Sequence, residues 1–438
     1  MKVDRKKKLV YIPMAADILH PGHLNIIREG QKLGEVVIGL LTDRAIASYK
    51  KVPYMKYEER LEVIKNVKGV DRVIPQTALD YRPNLRKLKP DYFVHGTDWR
   101  TGVMKKPRQQ AIDTIAQWGG TLVEPEYTEG VSSTDIYRSI KSSGISATTR
   151  LAQLERLMDV KETIRALEAH DGLSALIVEN ALAKNPSGAT EQFDAVWVSS
   201  LTDSIAKGKP DTELVDRTSR IATINEILEV TTKPLIVDGD TGGHVEHFIH
   251  TVRTLERLGV SAIVIEDKNG LKRNSLHARP QDHSQEDIKV FASKIKAGID
   301  ARVHNQFMII ARIESLILGK GQADALKRAR AYLDAGASAI MIHSKEASGA
   351  DIKEFAKAYN KFEDRKPLMV VPTSYNKIYE KDLTRWGANI IVYANHLLRA
   401  AYPSMNRAAK TILENGRASE TEALCTPIEE FLKMIPGA

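Results

Sequence analysis

A single cysteine, Cys425, stands among 438 residues. That excludes a disulfide within the chain and any metal cluster built on several thiolates. Long apolar runs are also missing. None approaches the roughly 20 residues that cross a bilayer, and the opening "MKVDRKKKLV" lacks the apolar centre of a secretory signal. Aromatic residues make up only 6% of the chain, and no basic stripe is interleaved with them. Nucleic acid is therefore not the expected partner, nor is a membrane. The expectation is a cytoplasmic enzyme acting on small molecules.

What is present is ordinary for a globular protein, with 42% hydrophobic and 27% charged residues. The length suffices for two domains, or for a barrel with a second unit. The charge is unevenly placed. Residues 1–150 hold 26 Lys+Arg against 17 Asp+Glu, a balance of +9; the rest holds 38 against 39, a balance of −1. A basic N-terminal third suits a polyanionic small molecule, or is simply a solvated basic surface.

Two rhythms divide the chain. From residue 150 onward, eight short apolar runs alternate with helix-period segments: "TIRALEAH", "FDAVWVSS", "PLIVDGD", "SAIVIED", "FMIIARIE", "SAIMIHS", "PLMVVPT" and "NIIVYANH". Continuous apolar strands alternating with amphipathic helices predict a parallel sheet covered by helices, and eight units fit a (β/α)8 barrel. Earlier, "KLVYIPMA", "EVVIGLL", "DRVIP", "DYFVHG" and "TLVEP" predict a small doubly wound, Rossmann-like α/β domain. The polar stretch "SSGISATTR" separates them. The expected domains are 1–145, nucleotide-binding, and 146–438, the barrel.

Polar residues crowd the predicted strand ends of the second half: His170, Ser199, Asp238, Asp240, Glu266, Arg312, His343, Thr373, Asn395 and His396. Active sites of such barrels lie at the C-terminal strand ends. Three carboxylates brought together there repel unless something neutralises them. A hard divalent cation with oxygen ligands does so, and Mg²⁺ is the natural candidate. Bridging by Lys268, Lys272 and Arg312 is the alternative. In the first half, "MAADILHPGH" joins a strand to a helix starting near Gly22. Free N–H groups at a helix start attract phosphate, and imidazoles from His20 and His23 can donate to its oxygens.

Further motifs identify both halves by resemblance. "HPGH", "YKKVPYMKYEERLEVI", "HGTDW" and "YTEGVSST" resemble, in order, the signatures of the HxGH cytidylyltransferase family. The resemblance implies CTP as co-substrate and puts Asp17, His20, His23, Lys51 (or Lys50), Arg60, Asp98, Ser132 and Ser133 at the nucleotide. Two departures stand out: "MAAD" replaces the family's GTFD, and Tyr127 occupies the place of an arginine.

"EAHDGLSALI", "VDGDTG", "IEDKNGLKRNS", "IARIE", "IMIHSK" and "VYANH" resemble the phosphoenolpyruvate mutase/isocitrate lyase superfamily. The lyases' KKCGH loop is replaced by "SIAKGKPDTE", without cysteine, which argues against C–C bond cleavage. The pattern EDKxxxKxNS, met by Glu266, Asp267, Lys268, Lys272, Asn274 and Ser275, is similar to phosphoenolpyruvate mutases; phosphonopyruvate hydrolases usually have threonine at the place of Asn274. The resemblance implies Mg²⁺ held by Asp238, Asp240 and Glu266, partly through water. It implies Arg312 and His343, with Asn274 and Lys272, gripping the transferred phosphoryl group. Ser199, Ser200 and Leu201 would hold the substrate carboxylate beside Ser275, Trp197 would wall the pocket, and Asp211 would ride a gating loop hinged at Gly208 and Pro210. Blander roles are core packing for Trp197, a satisfied strand-end imidazole for His343 and an ordinary loop carboxylate for Asp211. The expected activity is a phosphoenolpyruvate mutase with an attached cytidylyltransferase acting on a downstream phosphonate, in a homo-oligomer. The alternative is a phosphonopyruvate hydrolase with a non-catalytic nucleotide-binding domain.

Overall fold

The computed structural model describes residues 7–49, 52–100, 104–125, 145–185, 190–270 and 284–435, the side chain of Asp98 excepted. They form two compact units, one of Met1–Ile140 with Ala183–Glu191 and one of Lys141–Leu182 with Gln192–Ala438.

In the first unit, β1 (Leu9–Met14) is buried along its whole length because all six residues can be packed on both faces. The sheet is parallel throughout, with β2 (Glu35–Leu41) and β3 (Arg72–Gln76) on one side of β1 and β4 (Tyr92–Val94) and β5 (Thr121–Val123) on the other. The strand order 3-2-1-4-5 reverses direction beside β1, and a ligand cleft opens at such a switch point. Helix α1 (Pro21–Leu33) leaves the end of β1 there. Proline at its first turn loses no intrahelical bond, and the His20 side chain caps it by accepting from Gly22 N.

The second unit is a closed barrel of eight parallel strands: β6 (Ile164–Glu168), β9 (Ala195–Val198), β10 (Leu235–Asp238), β11 (Ala262–Glu266), β14 (Met308–Ile313), β15 (Ala339–Ile342), β16 (Leu368–Val370) and β17 (Ala388–Tyr393), which pairs back onto β6. Each of the eight apolar runs of the sequence supplies one strand. A short two-stranded pair, β12 (Lys268–Asn269) with β13 (Ser284–Gln285), lies outside the barrel wall, and a second, β7 (Leu182–Lys184) with β8 (Thr190–Gln192), falls largely in the stretch Ala183–Glu191 that groups with the first unit.

Aromatic side chains on the covering helices seal the outer wall. Phe248, Phe291, Tyr332, Phe355 and Tyr359 are fully buried, and each contributes about 1.5–3 kcal/mol by leaving water. Capping sets where several helices begin: Asp171, Asp216 and Asp287 each accept from backbone N–H groups of the first turn. The glycine between two of the rim carboxylates has no room for a side chain. A Cβ at Gly239, between Asp238 and Asp240, would lie 2.7 Å from the Ile263 side chain and 2.9 Å from the Val264 carbonyl. No described helix is long and apolar enough to cross a membrane.

Candidate active sites

At the N-terminal site the rings of His20 and His23 lie 4.0 Å apart. His20 Nδ1 accepts from Gly22 N at 3.2 Å, so in the neutral ring the proton sits on Nε2. Burial lowers the His20 pKa, favouring that neutral donor form.

Two residues expected at the nucleotide are engaged elsewhere. The Asp17 carboxylate is buried and accepts from Tyr54 N and Met55 N, both at 2.9 Å, holding the loop after β2. Arg60 is wholly buried on α3 (Tyr57–Lys65), preceded by the short α2 (Asp43–Ala47). Its guanidinium bonds Asp43, the Ala15 carbonyl and the Met55 carbonyl. Both brace the loops around the cleft, because a buried charge must satisfy its bonding groups inside the domain. Lys50, Lys51, Tyr127, Ser132 and Ser133 lie outside the described residues, as does the Asp98 side chain.

The "HGTDW" stretch builds a different feature. Trp99 is fully buried, stacks on His95 at 4.0 Å with ring planes 7° apart, and donates to Glu124 at 2.7 Å. Arg108 clasps the same carboxylate with two bonds of 2.9 Å, and Arg100 adds a third cation contact at 2.7 Å. Arg108 foremost, with Arg100 and Trp99, holds Glu124 well below the usual carboxylate range. Nothing in the residue pattern points to Glu124, which is far from Trp99 in sequence.

The second site is a cavity of about 70 Å³ at the C-terminal end of the barrel. Trp197, Ser199, Ser200, Leu201, Asp211, Asp238, Arg312 and His343 all line it. The fold thus brings together eight residues drawn from separate stretches of sequence. Thr373 and Asn395, at two further strand ends, complete the wall.

Parallel register sets its electrostatics. Glu266 and Arg312 are direct partners on β11 and β14, and the Arg312 guanidinium reaches Glu266 Oε2 at 3.1 Å. Lys268 stands 3.4 Å from both Glu266 and Glu314. Arg312 Nε donates to Glu314 Oε1, and His343 Nδ1 lies 3.0 Å from that same oxygen. Burial alone would raise the Glu314 pKa, but Arg312, His343 and Lys268 hold it well below the usual range. Burial, and then Arg312, lowers the His343 pKa, so the imidazole is neutral near pH 7.

The three carboxylates expected to hold a metal do not all face the cavity. Asp238 does, with Ser200 Oγ donating to it at 2.7 Å. Asp240, in the left-handed region at φ 55°, turns to Arg220, 3.0 Å away. Glu266 sits between Arg312 and Lys268. Among the described residues no three acidic or imidazole groups converge into a ready metal cage. Of the three, Asp238 is the carboxylate that a cation in the cavity would meet. Oxygen-only donors and retained waters are the preference of Mg²⁺.

Asp267, beside Glu266, points away from the cavity. It is fully buried, pushed up to about 6 by that burial, and accepts from Tyr332, Gln285 and Glu314 N while pairing with Arg328. These bonds tie β12 and β13 to the barrel. Lys272, Asn274 and Ser275, between those strands, lie outside the described residues.

Two functional neighbours escape sequence inspection. Glu314 ends the "IARIE" run, and its signal was a charged residue closing an apolar strand. Arg220 sits on a helix (Arg217–Val230), donates to Asp240 and the Asp238 carbonyl, and lies 3.4 Å from the Asp203 carboxylate as an ion pair; no local pattern marks it.

A closed parallel barrel whose C-terminal rim holds carboxylates, a buried arginine–histidine pair and a tryptophan wall defines a (β/α)8 enzyme fold with a polar cavity at its catalytic end. Comparison with known proteins makes this specific. The family model for phosphoenolpyruvate phosphomutase matches residues 154–413, and a cytidylyltransferase-like model matches residues 15–139. The chain belongs to the phosphoenolpyruvate phosphomutase family, fused to a cytidylyltransferase-like domain. It is 33% identical to a phosphoenolpyruvate phosphomutase of Tetrahymena pyriformis over 68% of this chain and 94% of that one. It is 32% identical to a phosphonopyruvate hydrolase of Variovorax over 65% of this chain and 94% of that one. Among solved structures, a phosphoenolpyruvate phosphomutase of Streptomyces platensis subsp. rosaceus aligns with a TM-score of 0.59 at 34% identity, covering 65% of this chain and 94% of the other. A phosphonopyruvate hydrolase complex with oxalate and Mg²⁺ aligns at 0.55 and 29% identity, covering 67% and 94%.

Proposed function

We propose that the barrel interconverts phosphoenolpyruvate and 3-phosphonopyruvate, and that the N-terminal domain transfers CMP from CTP to a downstream phosphonate such as 2-hydroxyethylphosphonate or 2-aminoethylphosphonate. The observation that carries the first reading is the lining of the cavity at the C-terminal end of the barrel. It sets the Arg312–His343 pair, braced by Glu314, among Asp238, Trp197 and Asp211.

The reaction moves a phosphoryl group from the enol oxygen to C3. A loose, metaphosphate-like transition state asks the protein for positioning and charge neutralisation rather than for a covalent intermediate. Arg312 and the neutral His343 grip the phosphoryl oxygens. Backbone N–H groups at Ser199–Leu201 hold the carboxylate, and Trp197 walls the pyruvyl face. Asn274, Lys272 and Ser275 are assigned to the same substrate. Mg²⁺ would be held by Asp238, with Asp240 and Glu266 behind water, and would stabilise charge on the enolate oxygen; the hydrolase relative crystallised with Mg²⁺ supports this. Asp211 covers the cavity and excludes water, which would otherwise capture the phosphoryl group.

At the other site, His20 and His23 donate to CTP phosphate oxygens as charge develops, while Asp17 and Arg60 keep the cleft loops in shape. The two reactions are not consecutive. Phosphonopyruvate must first be decarboxylated, then reduced or transaminated, by other enzymes. The protein is assigned to the cytoplasm, with neither nucleic acid nor membrane as partner. A homo-oligomer, dimer or tetramer, is supported by the helix His396–Asn415, which buries none of its residues and exposes Tyr402, Met405 and Leu413.

The hydrolase relative, nearly as similar as the mutase, favours a second reading of the barrel, with the N-terminal domain then a non-catalytic nucleotide-binding module. ³¹P NMR of phosphonopyruvate with enzyme and Mg²⁺ decides. Growth of phosphoenolpyruvate supports isomerisation, and inorganic phosphate alone supports hydrolysis. Pyrophosphate release from CTP across a panel of phosphonates tests the first domain, and silence across the panel overturns that half.

A further inference from the structure

Between the helix Ser200–Ala206 and the helix Arg217–Val230 runs the segment that carries Asp211 to the cavity. It is tied down close to that residue. Two positions on, Glu213 adopts φ 60°, a left-handed conformation that is strained for a non-glycine residue and persists only when its surroundings impose it. The surroundings are visible. Glu213 Oε1 accepts from the Thr241 hydroxyl at 2.9 Å and faces Thr241 N at 3.4 Å. Thr241 Oγ in turn accepts from Gly243 N at 3.2 Å. The buried Lys294 ammonium donates to the Thr241 carbonyl at 3.0 Å. Val215 is buried, and Asp216 caps the following helix.

Thr241 directly follows Asp240. One carboxylate therefore joins the segment bearing Asp211 to the turn bearing two of the three acidic residues of the rim. We infer that Glu213 is a positioning residue for the barrel reaction: clasped to Thr241, it holds Asp211 over the cavity and keeps water away from the phosphoryl group in transit. This rests on the isomerase reading above. When the clasp is lost, water oxygen bonds to phosphorus, the C–P bond breaks with its electron pair going to C3 of the pyruvate enolate, and C3 takes a proton from solvent. Phosphonopyruvate and water thus become pyruvate and phosphate, with no further reactant.

The experiment uses the full chain with Mg²⁺ and phosphonopyruvate, following phosphate and phosphoenolpyruvate by ³¹P NMR together with kcat, KM and thermal unfolding. Glu213→Ala and Thr241→Val should each raise the share of phosphate about tenfold and lower kcat more than they raise KM, with unfolding temperatures near the parent's. The double variant should match either single one, because both remove the same bond. Glu213→Gln, whose amide oxygen can still accept from Thr241, should restore most of the parent's product ratio. An unchanged product ratio and kcat in Glu213→Ala, or effects of the two single variants that add, would overturn the inference. If the parent enzyme itself releases only phosphate, the isomerase reading fails separately. The kcat values then still decide whether Glu213 positions Asp211, and an unchanged kcat counts against it.

Discussion

Glu314 Oε1 lies 3.0 Å from His343 Nδ1 while accepting from Arg312 Nε, so a single buried carboxylate orients both groups assigned to the phosphoryl oxygens. Arg312 also stands 2.9 Å from the same imidazole nitrogen. The three side chains form one unit, with Lys268 beside it.

Glu314→Gln should therefore lower kcat about 100-fold, as misplacement by an ångström can, with a smaller change in KM. Glu314 is the main group raising the His343 pKa against burial and Arg312. Without it, that pKa falls further, and any acid limb due to His343 moves to lower pH. A kcat–pH profile of parent and variant checks the direction. A limb that moves to higher pH would contradict the assignment.

Removing Mg²⁺ by chelation should abolish turnover in the barrel, and Asp238→Asn should weaken Mg²⁺ binding by about tenfold or more, because of the three carboxylates assigned to the metal it removes the one that lines the cavity. Isothermal titration with Mg²⁺ reads this directly. Unaltered affinity in Asp238→Asn would remove that residue from the metal assignment.

His20→Ala should reduce pyrophosphate release from CTP by about 100-fold, the scale of losing one donor to developing charge. Turnover of phosphonopyruvate should be unchanged, since His20 is not among the described residues that line the barrel cavity. Parallel assays on one preparation make the comparison.

Glu124→Gln should destabilise the N-terminal domain by about 1–2 kcal/mol at pH 7, the scale of charge-assisted bonds. The folded-state pKa of Glu124 lies below its ordinary value of 4.5. Its stabilisation is thus complete above that ordinary value and is lost as pH falls through the folded one. Urea unfolding of parent and variant should converge as the pH drops below about 4, and a gap that stays constant with pH would refute the ionic origin.

Much of the architecture was legible in the order of residues. Thirteen apolar runs, five and then eight, each became a strand; in β1, β2 and the barrel wall the reason is that a strand buried on both faces leaves a continuous apolar signature that little else imitates. The C-terminal rim was legible for the same reason: polar residues that close such runs, as Asp238, Arg312 and His343 do, have no packing purpose. Asp17 and Arg60 were harder. Their residue types suit a nucleotide, yet both turn inward to hold loops, and only the folded paths of Ala15, Tyr54 and Met55 reveal the backbone groups they satisfy.

Sequence by itself determined the two domains, the barrel and the chemical character of its rim, since burial and periodicity are local properties that read directly from side-chain type. Tertiary structure alone decided which charges meet. Glu266 faces Arg312 through strand register, Asp240 turns to Arg220 on a helix twenty residues earlier, and Glu213 finds Thr241 across two loops. Such pairings depend on distances between segments remote in the chain. Electrostatic energy depends on those distances and on burial, and neither is written in any short stretch of residues.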